Sequence, residues 1–392
     1  MRIAHFGDAY FPMLDGTVTF LDGLARNLKE QGHRSVLIVP GQRKRPSMRV
    51  EDDILRLGSL PFGFAPPGYR AVWEPAGWVR SRLRKLDFDL VHIHSPFAAA
   101  HLGLRLARNR RVPAVLTYHT LYPAYAGLYG PRWGTSVWER AITRRSRQVA
   151  NQCDLVIANS GPMVPVLQGY GITSPIQMIP VGINHEVFAQ AHRTGIVRRR
   201  IGVSEASKLI LYVGRIGAEK SVDLLVPMLK DLRGRFDAEL VLCGQGAQED
   251  AITEAAERAG LSGRVHLAGV IRDQQELAMF YGDADVFVFP SQTDTFGLVV
   301  PEAQAAGLPV VAVGALGSTA TIQDGVSGLL SSPDPLDLSR QVGRILAEAG
   351  FADQLRAGGR RRSLEYSTRL IAIRHVDAYA ELVTRIAAVA AN

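Results

Sequence analysis

Two carboxylates separated by seven residues are the strongest chemical signal in this sequence. Asp294 lies in a predicted loop and Glu302 in the first turn of a predicted helix. Ionised carboxylates only accept hydrogen bonds, so sugar and ribose hydroxyls suit them as partners. The amides of Phe296, Gly297 and Leu298 precede that helix, where free N–H groups and the helix dipole favour a phosphate. The pattern also fits an acid that favours a helix start and an aspartate that caps a loop.

Two cations follow a predicted strand over residues 209–214. Arg215 and Lys220 would lie at its carboxyl end, where they can neutralise a diphosphate and stabilise the negative charge that builds on it as a sugar–phosphate bond breaks. The GxxxxGK pattern of a Walker loop is missing. Gly244 ends the next strand in a glycine turn, which we expect close to a nucleotide. The alternative is a solvated helix start at Glu219–Lys220.

Strands and helices alternate in two series. The first opens with a strand over residues 2–7, a helix over 17–31 and a strand over 35–40. The second opens at 209–214 and restarts the pattern, which predicts two doubly wound α/β domains with parallel sheets. Loops at the carboxyl ends of such strands face the ligand crevice, and Asp15 and Gly16 lie in the first of them. The absence of GxGxxG argues against a nicotinamide dinucleotide.

Histidines and acids offer two weaker metal patterns. His92 and His94 end a predicted strand on one face, but no acid or cysteine that could serve as a third ligand lies nearby in the sequence. A buried or acceptor-facing histidine is therefore favoured. Asp283 and Asp285 mimic a DxD metal motif, yet they begin a predicted buried strand instead of ending one at a cleft. We predict no metal site.

Composition narrows the class of protein. With 392 residues and 47% hydrophobic residues, the chain suits two globular domains. Cys153 and Cys243 give no disulfide framework and no cysteine-based zinc site, which favours a reducing cytoplasm. The first residues lack the apolar core of a signal peptide, and no run of 18 apolar residues occurs.

Charge is unevenly distributed. Residues 1–185 carry 23 Lys and Arg against 12 Asp and Glu, a net charge of +11, whereas the remainder carries −3. The basic half also contains aromatic residues beside cations at 61–85 and an arginine-rich helix within 132–150, as a membrane interface favours. The alternatives are an arginine-rich composition without a partner, and a packed loop with a solvated helix face.

The spacing of Asp294 and Glu302 resembles the acid–seven–acid signature of retaining glycosyltransferases of family GT4, although that family usually has Glu first. The alanine-rich text that follows, ending in Gly307-Leu308-Pro309-Val310, is also similar. The resemblance implies the GT-B fold, with two Rossmann-like domains facing a central cleft. The expected domains are an acceptor-binding domain (1–185), a nucleotide-sugar-binding domain (186–367) and a C-terminal helix (368–392) packing back on the first domain.

The resemblance also implies roles for residues. His119 and Asp294 would hold the sugar, Arg215 and Lys220 the diphosphate, and Glu302 the ribose. Further donor contacts are expected from Gly16, Gly244, Val270, Phe296, Gly297 and Leu298. Residues on the acceptor side would be Asp15, His94, Tyr122 and Tyr125. No cofactor or metal is implied, because the sugar nucleotide is a substrate.

The implied reaction moves a hexose from a UDP-glucose or GDP-mannose type donor to an acceptor hydroxyl with retention, forming an α-glycosidic bond. The text around Tyr122 and Tyr125 resembles a subgroup that uses lipid acceptors, so we expect a membrane lipid or glycolipid and a cytoplasmic enzyme peripheral on an anionic inner membrane face. The alternatives are a soluble or polysaccharide acceptor, and an epimerase or hydrolase of nucleotide sugars. A nucleic-acid-binding protein is suggested only by the isoelectric point near 9.6.

Overall fold

The computed structural model describes residues 1–11, 16–41, 47–49, 53–61, 70–72, 81, 83–84, 86–121 and 135–391. Contacts within the chain divide it into two compact units. Unit 1 comprises Met1–Gly182 and Thr368–Asn392, and unit 2 comprises Ile183–Ser367. The functions that the sequence assigns to the two domains stay a prediction.

Unit 1 is built on an eight-stranded sheet with the order β10-β9-β8-β7-β1-β2-β4-β3, beside a two-stranded antiparallel pair, β5-β6. All neighbours in the large sheet pair in parallel except β3 and β4. The strands are β1 (Arg2–Phe6), β2 (Arg34–Pro40), β3 (Ser47–Arg49), β4 (Ile54–Leu57), β5 (Ser59–Pro61), β6 (Arg70–Val72), β7 (Leu90–Ile93), β8 (Ala114–Tyr118), β9 (Leu155–Ala158) and β10 (Ile176–Met178). The helices before residue 183 are α1 (Gly16–Glu30), α2 (Ala98–Arg110), α3 (Thr135–Ala150) and α4 (Met163–Gly169).

Unit 2 has a six-stranded parallel sheet with the order β13-β12-β11-β14-β15-β16. The strands are β11 (Lys208–Val213), β12 (Ala238–Cys243), β13 (Val265–Gly269), β14 (Val286–Phe289), β15 (Val310–Val313) and β16 (Leu329–Ser331). The helices are α5 (His185–Ala189), α6 (Ile196–Ile201), α7 (Leu225–Leu232), α8 (Glu249–Arg258), α9 (Gln274–Asp283), α10 (Val299–Ala305), α11 (Leu316–Thr321), α12 (Pro335–Ala347) and α13 (Ala349–Ser363).

The strand order reverses once in each sheet, between β1 and β7 in unit 1 and between β11 and β14 in unit 2. At such a switch point the loops leave in opposite directions, and a crevice opens at the carboxyl ends of the two strands. The strands beside both points are mostly apolar and almost entirely buried, as expected of central strands in a parallel sheet, although His5 and His92 lie on two of them. The two crevices are therefore fixed by topology.

The last helix, α14 (Thr368–Ala391), packs on α1 of unit 1, as predicted. Tyr379 on this helix contacts the ring of His92, with its hydroxyl 2.7 Å from Nδ1. Close packing at its start requires Gly182, because a Cβ there would lie 2.8 Å from the Cα of Thr368. The prediction of two doubly wound α/β units with a returning C-terminal helix is confirmed.

Asp283 and Asp285 have structural roles. The carboxylate of Asp283 accepts hydrogen bonds from the backbone amides of Thr194, Gly195 and Val197, at 2.6 to 2.8 Å. These hydrogen bonds to the ionised form lower the pKa of Asp283 despite the opposing effect of its burial. Both carboxylates are thus occupied by donors from the chain, because Asp285 accepts from Arg198, whose side chain is fully buried.

Replacing Arg198 by methionine is expected to destabilise unit 2 by about 3–5 kcal/mol, because it leaves Asp285 without its buried partner. Arg198 also donates to the carbonyls of Ser204 and Ser207, which would lose those bonds. Urea unfolding measures the loss, and Arg199→Met, at an exposed position on the same helix, is the matched control. An unchanged urea midpoint for Arg198→Met would contradict this account.

Candidate functional site

The switch point of unit 2 brings Lys220 and Asp294 into contact. β11 and β14 are neighbours, so the loops that follow them start side by side. Nζ of Lys220 donates to both carboxylate oxygens of Asp294, at 2.7 Å each. Both side chains are partly exposed, which leaves this charged pair accessible to a ligand. The sequence predicted both residues for the site, and the tertiary structure joins them across 74 residues.

Arg215 lies just after β11 with a partner that the sequence analysis missed. Its Nε is 3.7 Å from Oε1 of Glu219, a side chain that is almost fully buried. The hydroxyl of Tyr212 donates to the Arg215 carbonyl and fixes the backbone at this point. A solvated helix start at Glu219–Lys220 was the alternative interpretation, but Glu219 is buried and balances the charge of Arg215. Gly217 could have signalled this, because a Cβ there would collide with the Glu219 carboxylate.

The segment around Lys220 is not a continuous helix. It forms two short 3-10 turns, Ala218–Lys220 and Val222–Leu224, before α7 begins at Leu225. Ser221 lies between them with φ at +52°, a left-handed conformation that interrupts a helix. Lys220 therefore projects from a tight turn, which fixes its position more closely than a fraying helix end would.

Gly244 has a packing reason to be glycine. Its φ is +154°, and a Cβ there would overlap the carbonyl oxygen of Gly214. Backbone bonds from Gly214 N to Cys243 O and from Gly244 N to Gly269 O tie the ends of β11, β12 and β13 together. Val270 follows β13 and is exposed. Contact of Gly244 and Val270 with a nucleotide stays a prediction.

Glu302 lies in the first turn of α10 and is buried. The hydroxyl of Tyr281 donates to its Oε2 at 3.0 Å. Burial raises the pKa of Glu302 to about 8, against the opposing effect of the Tyr281 bond, so this carboxyl is protonated at neutral pH. The sequence analysis treated Glu302 as ionised, because only the tertiary structure shows how completely it is enclosed.

The backbone turns at Gly297 just before α10 begins. Gly297 has φ at +74°, and the ring of Phe296 is buried against Tyr366. Across the part of the chain that the structure describes, the amides of Phe296, Gly297 and Leu298 form no hydrogen bond. Their contact with a phosphate stays a prediction.

In unit 1 the switch point holds Asp8, which sequence reasoning missed. Asp8 follows β1, and its carboxylate accepts from the hydroxyl of Ser95 and from the amide of Ala99 at 2.8 Å. Burial raises its pKa to about 6, although these bonds oppose the rise. Asp8 thus joins the two strands of the switch point and caps the start of α2. An acid directly after the first strand was the available signal.

His94 and His119 follow β7 and β8 and are brought together. Nδ1 of His94 lies 3.2 Å from Nε2 of His119, and both rings are buried. Gly16 begins α1, and Asp15, Tyr122 and Tyr125 lie outside the described residues. The sugar and acceptor contacts assigned to these residues stay predictions.

A third histidine joins the two that ended the predicted strand. Ring nitrogens of His5, His92 and His94 all lie within 4.8 Å of one another, so His5 supplies the neighbour that local sequence lacked. Both nitrogens of His92 already face hydroxyls, of Thr117 and Tyr379, at 2.7 Å. This occupancy disfavours His92 as a metal ligand.

The helix α3 is amphipathic with a basic outer face. Its side chains at Arg140, Arg144 and Arg147 are exposed, and so are Val137 and Trp138 near its start. No helix among the described residues combines the length and the apolar character that crossing a membrane requires.

Both halves of the chain match known family models. Residues 14–187 match "Glycosyltransferase Family 4" and residues 195–362 match "Glycosyl transferases group 1". A D-inositol 3-phosphate glycosyltransferase of Geodermatophilus obscurus is 32% identical, over 77% of this chain and 68% of the relative. An alpha-monoglucosyldiacylglycerol synthase of Acholeplasma laidlawii is 27% identical, over 84% of each chain.

Solved structures agree on the fold. Sucrose-phosphate synthase from Thermosynechococcus elongatus superposes with a TM-score of 0.79 at 21% identity, covering 98% of this chain and 99% of that chain. The family matches over both halves and the shared architecture point to one conclusion. The chain belongs to glycosyltransferase family 4, and it is a hexosyltransferase with the two-sheet GT-B fold.

Proposed function

We propose that this enzyme transfers a hexose, with retention, from a nucleoside diphosphate sugar of the UDP-glucose or GDP-mannose type to a hydroxyl of a membrane lipid or glycolipid. The observation that carries the proposal is the Lys220–Asp294 pair at the switch point of unit 2, with Arg215 beside it. Cations and an acceptor group fixed at the carboxyl ends of β11 and β14 suit a sugar attached to a diphosphate.

Each residue of that site has a distinct task. Arg215 and Lys220 neutralise the diphosphate, whose charge grows as the bond between the sugar C1 and the phosphate oxygen breaks. Asp294 accepts a sugar hydroxyl and orients Lys220. The acceptor oxygen attacks C1 from the face that the diphosphate leaves, and its proton passes to the departing phosphate oxygen. A covalent bond between the sugar and Asp294, trapped with a slow donor, would contradict this front-face route.

Glu302 is assigned to the ribose, and its replacement by glutamine tests that role. Glutamine keeps the shape and still accepts from Tyr281, but the NH2 group that replaces one carboxyl oxygen can only donate, so it cannot accept a hydrogen bond from a ribose hydroxyl. We expect kcat/KM for the donor to fall by about 10- to 100-fold.

The same variant should be more stable than the wild type at pH 7. The pKa of Glu302 is raised from 4.5 to about 8, so the folded protein loses stability as pH rises from 4.5 towards 8. The loss amounts to about 3 kcal/mol at pH 7. Glutamine has no such loss. Glu365→Gln, at an exposed position, is the control for both measurements, and a Glu302→Gln enzyme with wild-type kinetics would remove the ribose assignment.

A lipid acceptor is supported by the exposed arginines of α3, by Val137 and Trp138 near its start, and by the diacylglycerol-glycosylating relative. A soluble acceptor is the second candidate, favoured by the inositol phosphate relative. Assays that offer each class of acceptor together with a panel of nucleotide sugars decide between them. Product with diacylglycerol in vesicles supports the first, and product with a soluble polyol phosphate alone supports the second.

Binding to vesicles is a separate test of the peripheral membrane position. We expect the protein to float with vesicles that contain phosphatidylglycerol and not with pure phosphatidylcholine. The double replacement Arg140→Ala, Arg144→Ala should weaken partitioning by about 30-fold, because each arginine near an anionic surface contributes about 1 kcal/mol. Arg258→Ala with Arg356→Ala in unit 2 is the matched control, and equal flotation of both variants would contradict the assignment to α3.

A further inference from the structure

The two cations of the unit 2 site each lie beside a carboxylate, and the two carboxylates differ in exposure. Asp294, the partner of Lys220, has a side chain that is 21% exposed, which leaves it open to a ligand. Glu219, which lies beside Arg215, has a side chain that is only 3% exposed. A carboxylate so enclosed does not meet a substrate, so any effect of Glu219 on the reaction must pass through a neighbouring residue.

The carboxylate of Glu219 folds back against the backbone of its own loop. A Cβ added to Gly217 would collide with Oε2 of this side chain and would lie 2.7 Å from Oε1. Gly217 has φ at −133° and ψ at 159°, an extended conformation that any residue adopts. Glycine is therefore required at this position for space, and the Glu219 carboxylate occupies that space.

One oxygen of this carboxylate depends on Arg215. Oε1 of Glu219 lies 3.7 Å from Nε of Arg215. Within the described residues, this buried oxygen accepts no hydrogen bond. A buried carboxylate oxygen without a donor is costly unless a nearby charge compensates it, and the guanidinium of Arg215 supplies that charge. Glu219 therefore attracts the Nε side of the guanidinium.

This contact determines which nitrogens of Arg215 can meet a phosphate. A guanidinium has five N–H donors, one on Nε and four on the two terminal nitrogens. With Nε held by Glu219, a phosphate is taken by the terminal nitrogens, whose planar fork matches the spacing of phosphate oxygens. The buried carboxylate thus sets the orientation of a charged group that is itself partly exposed.

The surrounding chain holds both ends of the contact. The hydroxyl of Tyr212 donates to the Arg215 carbonyl at 2.7 Å, and the hydroxyl of Thr293 donates to the Glu219 carbonyl at 2.8 Å. Burial is the main cause of the raised pKa of Tyr212. The charges of Asp294 and Glu219 raise this pKa further, whereas the charge of Arg215 lowers it. One buried hydroxyl therefore lies within electrostatic reach of all three charged groups.

We propose that Glu219 is a positioning residue whose buried carboxylate holds Nε of Arg215, so that the terminal nitrogens of this arginine meet the diphosphate of the sugar nucleotide. The inference rests on the diphosphate role proposed above for Arg215. Asp294 orients Lys220 while it binds a sugar hydroxyl, whereas Glu219 acts on Arg215 without touching the substrate.

Kinetics and binding with Glu219→Gln test this role. Glutamine keeps the shape beside Gly217 and removes the charge. We expect kcat to fall by about 10- to 100-fold, because a group that stabilises the transition state loses its fixed place. The Kd of UDP or GDP, measured by calorimetry, should change by less than about threefold, since removing a negative charge near the diphosphate offsets the poorer placement of Arg215. Equal factors in kcat and Kd would overturn the proposal.

A double-mutant cycle identifies the residue through which Glu219 acts. Arg215→Gln places an amide nitrogen at the chain position of Nε, so a donor still faces Glu219, but the terminal nitrogens are gone. In that background, Glu219→Gln should lower kcat/KM by less than about twofold more. Losses that add in full would overturn the proposal, because they would show that Glu219 acts independently of Arg215.

Gly217→Ala provides a second variant that leaves the Glu219 charge in place. The added Cβ occupies the space of the carboxylate and displaces it from Nε of Arg215. We expect kcat to fall as it does in Glu219→Gln. Wild-type kcat in Gly217→Ala would contradict the placement of this carboxylate against Arg215.

A comparable buried pair in unit 2 separates positioning from packing. Glu239 on β12 is buried, and its Oε1 accepts from Arg264 at 2.8 Å. It lies near the amino end of its strand, away from the carboxyl ends where Arg215 and Lys220 lie. Glu239→Gln should lower the urea midpoint of unfolding and leave kcat unchanged. A loss of kcat in Glu239→Gln equal to that in Glu219→Gln would overturn the proposal.

Failure of the proposed function gives a different result. Absence of binding to both UDP and GDP, together with no turnover of any sugar nucleotide, would count against the diphosphate site itself. Binding and turnover that are both unaffected by Glu219→Gln would leave that site in place and overturn the positioning role.

Discussion

Replacing Lys220 by methionine is expected to lower kcat by about 100- to 1000-fold, the usual loss when one preorganised group that stabilises developing charge is removed. Methionine is close to lysine in length and apolar, so the turn Ala218–Lys220 should persist. Steady-state assays with the productive nucleotide sugar measure the change. The loss should fall mainly on kcat, because the charge on the diphosphate grows most at the transition state.

Two further variants separate this effect from a general loss of charge. Lys230→Met replaces an exposed lysine on α7 of the same unit and should retain wild-type kinetics. Asp294→Asn breaks the pair from the other side. Because Lys220 and Asp294 are in direct contact at 2.7 Å, the two losses should be strongly non-additive in a double-mutant cycle. Wild-type turnover by Lys220→Met would contradict the assignment of the diphosphate to this site.

Acid is expected to destabilise unit 1 before unit 2. A histidine whose pKa is lowered in the folded state binds a proton only after unfolding, so its stabilising contribution is complete above pH 6.5 and is lost as pH falls towards 3 or 4. Within that window, each such histidine, here His5, His119 and His375, lowers the free energy of unfolding by about 1.4 kcal/mol for each pH unit of acidification. His92 and His94, whose pKa values are also lowered, act in the same direction.

One acid in each unit acts in the opposite direction. The pKa of Asp8 is raised to about 6, so between pH 6 and 3.8 the folded state holds a proton that the unfolded state has released, and acid stabilises it. Asp8 offsets only one of the five histidines. In unit 2, Glu302 makes the fold more stable as pH falls from about 8 to 4.5. Burial lowers the pKa of His185 in the same unit, which opposes the effect of Glu302. Acid should therefore lower the stability of unit 1 more than that of unit 2 over this range.

Tryptophan fluorescence makes this difference measurable, because all four tryptophans lie within residues 73–138 of the sequence and Trp138 is on α3 of unit 1. In urea unfolding, the free energy of unfolding measured by fluorescence should fall by several kcal/mol between pH 7.5 and pH 5. The fluorescence transition should therefore move to lower urea and precede the circular dichroism transition at pH 5. His375→Leu should flatten the dependence of the free energy of unfolding on pH by about one proton, because its lowered pKa contributes to that dependence. Equal fluorescence midpoints at the two pH values would contradict the assignment.

Local sequence pattern determined several strand positions and the residue types of the candidate site. Short, largely apolar runs predicted β1, β2 and β11 to within two residues, because a strand that is buried on both faces of a parallel sheet consists mostly of consecutive apolar residues. The spacing of Asp294 and Glu302, and two cations after a strand, indicated a sugar nucleotide before any fold was known. These signals lie within a few residues of one another, where sequence determines geometry directly.

Only the tertiary structure decided the chemical state of the residues. Burial, which depends on elements far away in the chain, protonates Glu302 and encloses Glu219. The pairing of Lys220 with Asp294 depends on β11 and β14 becoming neighbours in the sheet. His5, His94 and His119 join across 89 and 25 residues, and no local pattern relates them. Residue types and spacing therefore indicated the kind of reaction, whereas long-range packing set the charge, the protonation state and the hydrogen-bond partner of each group.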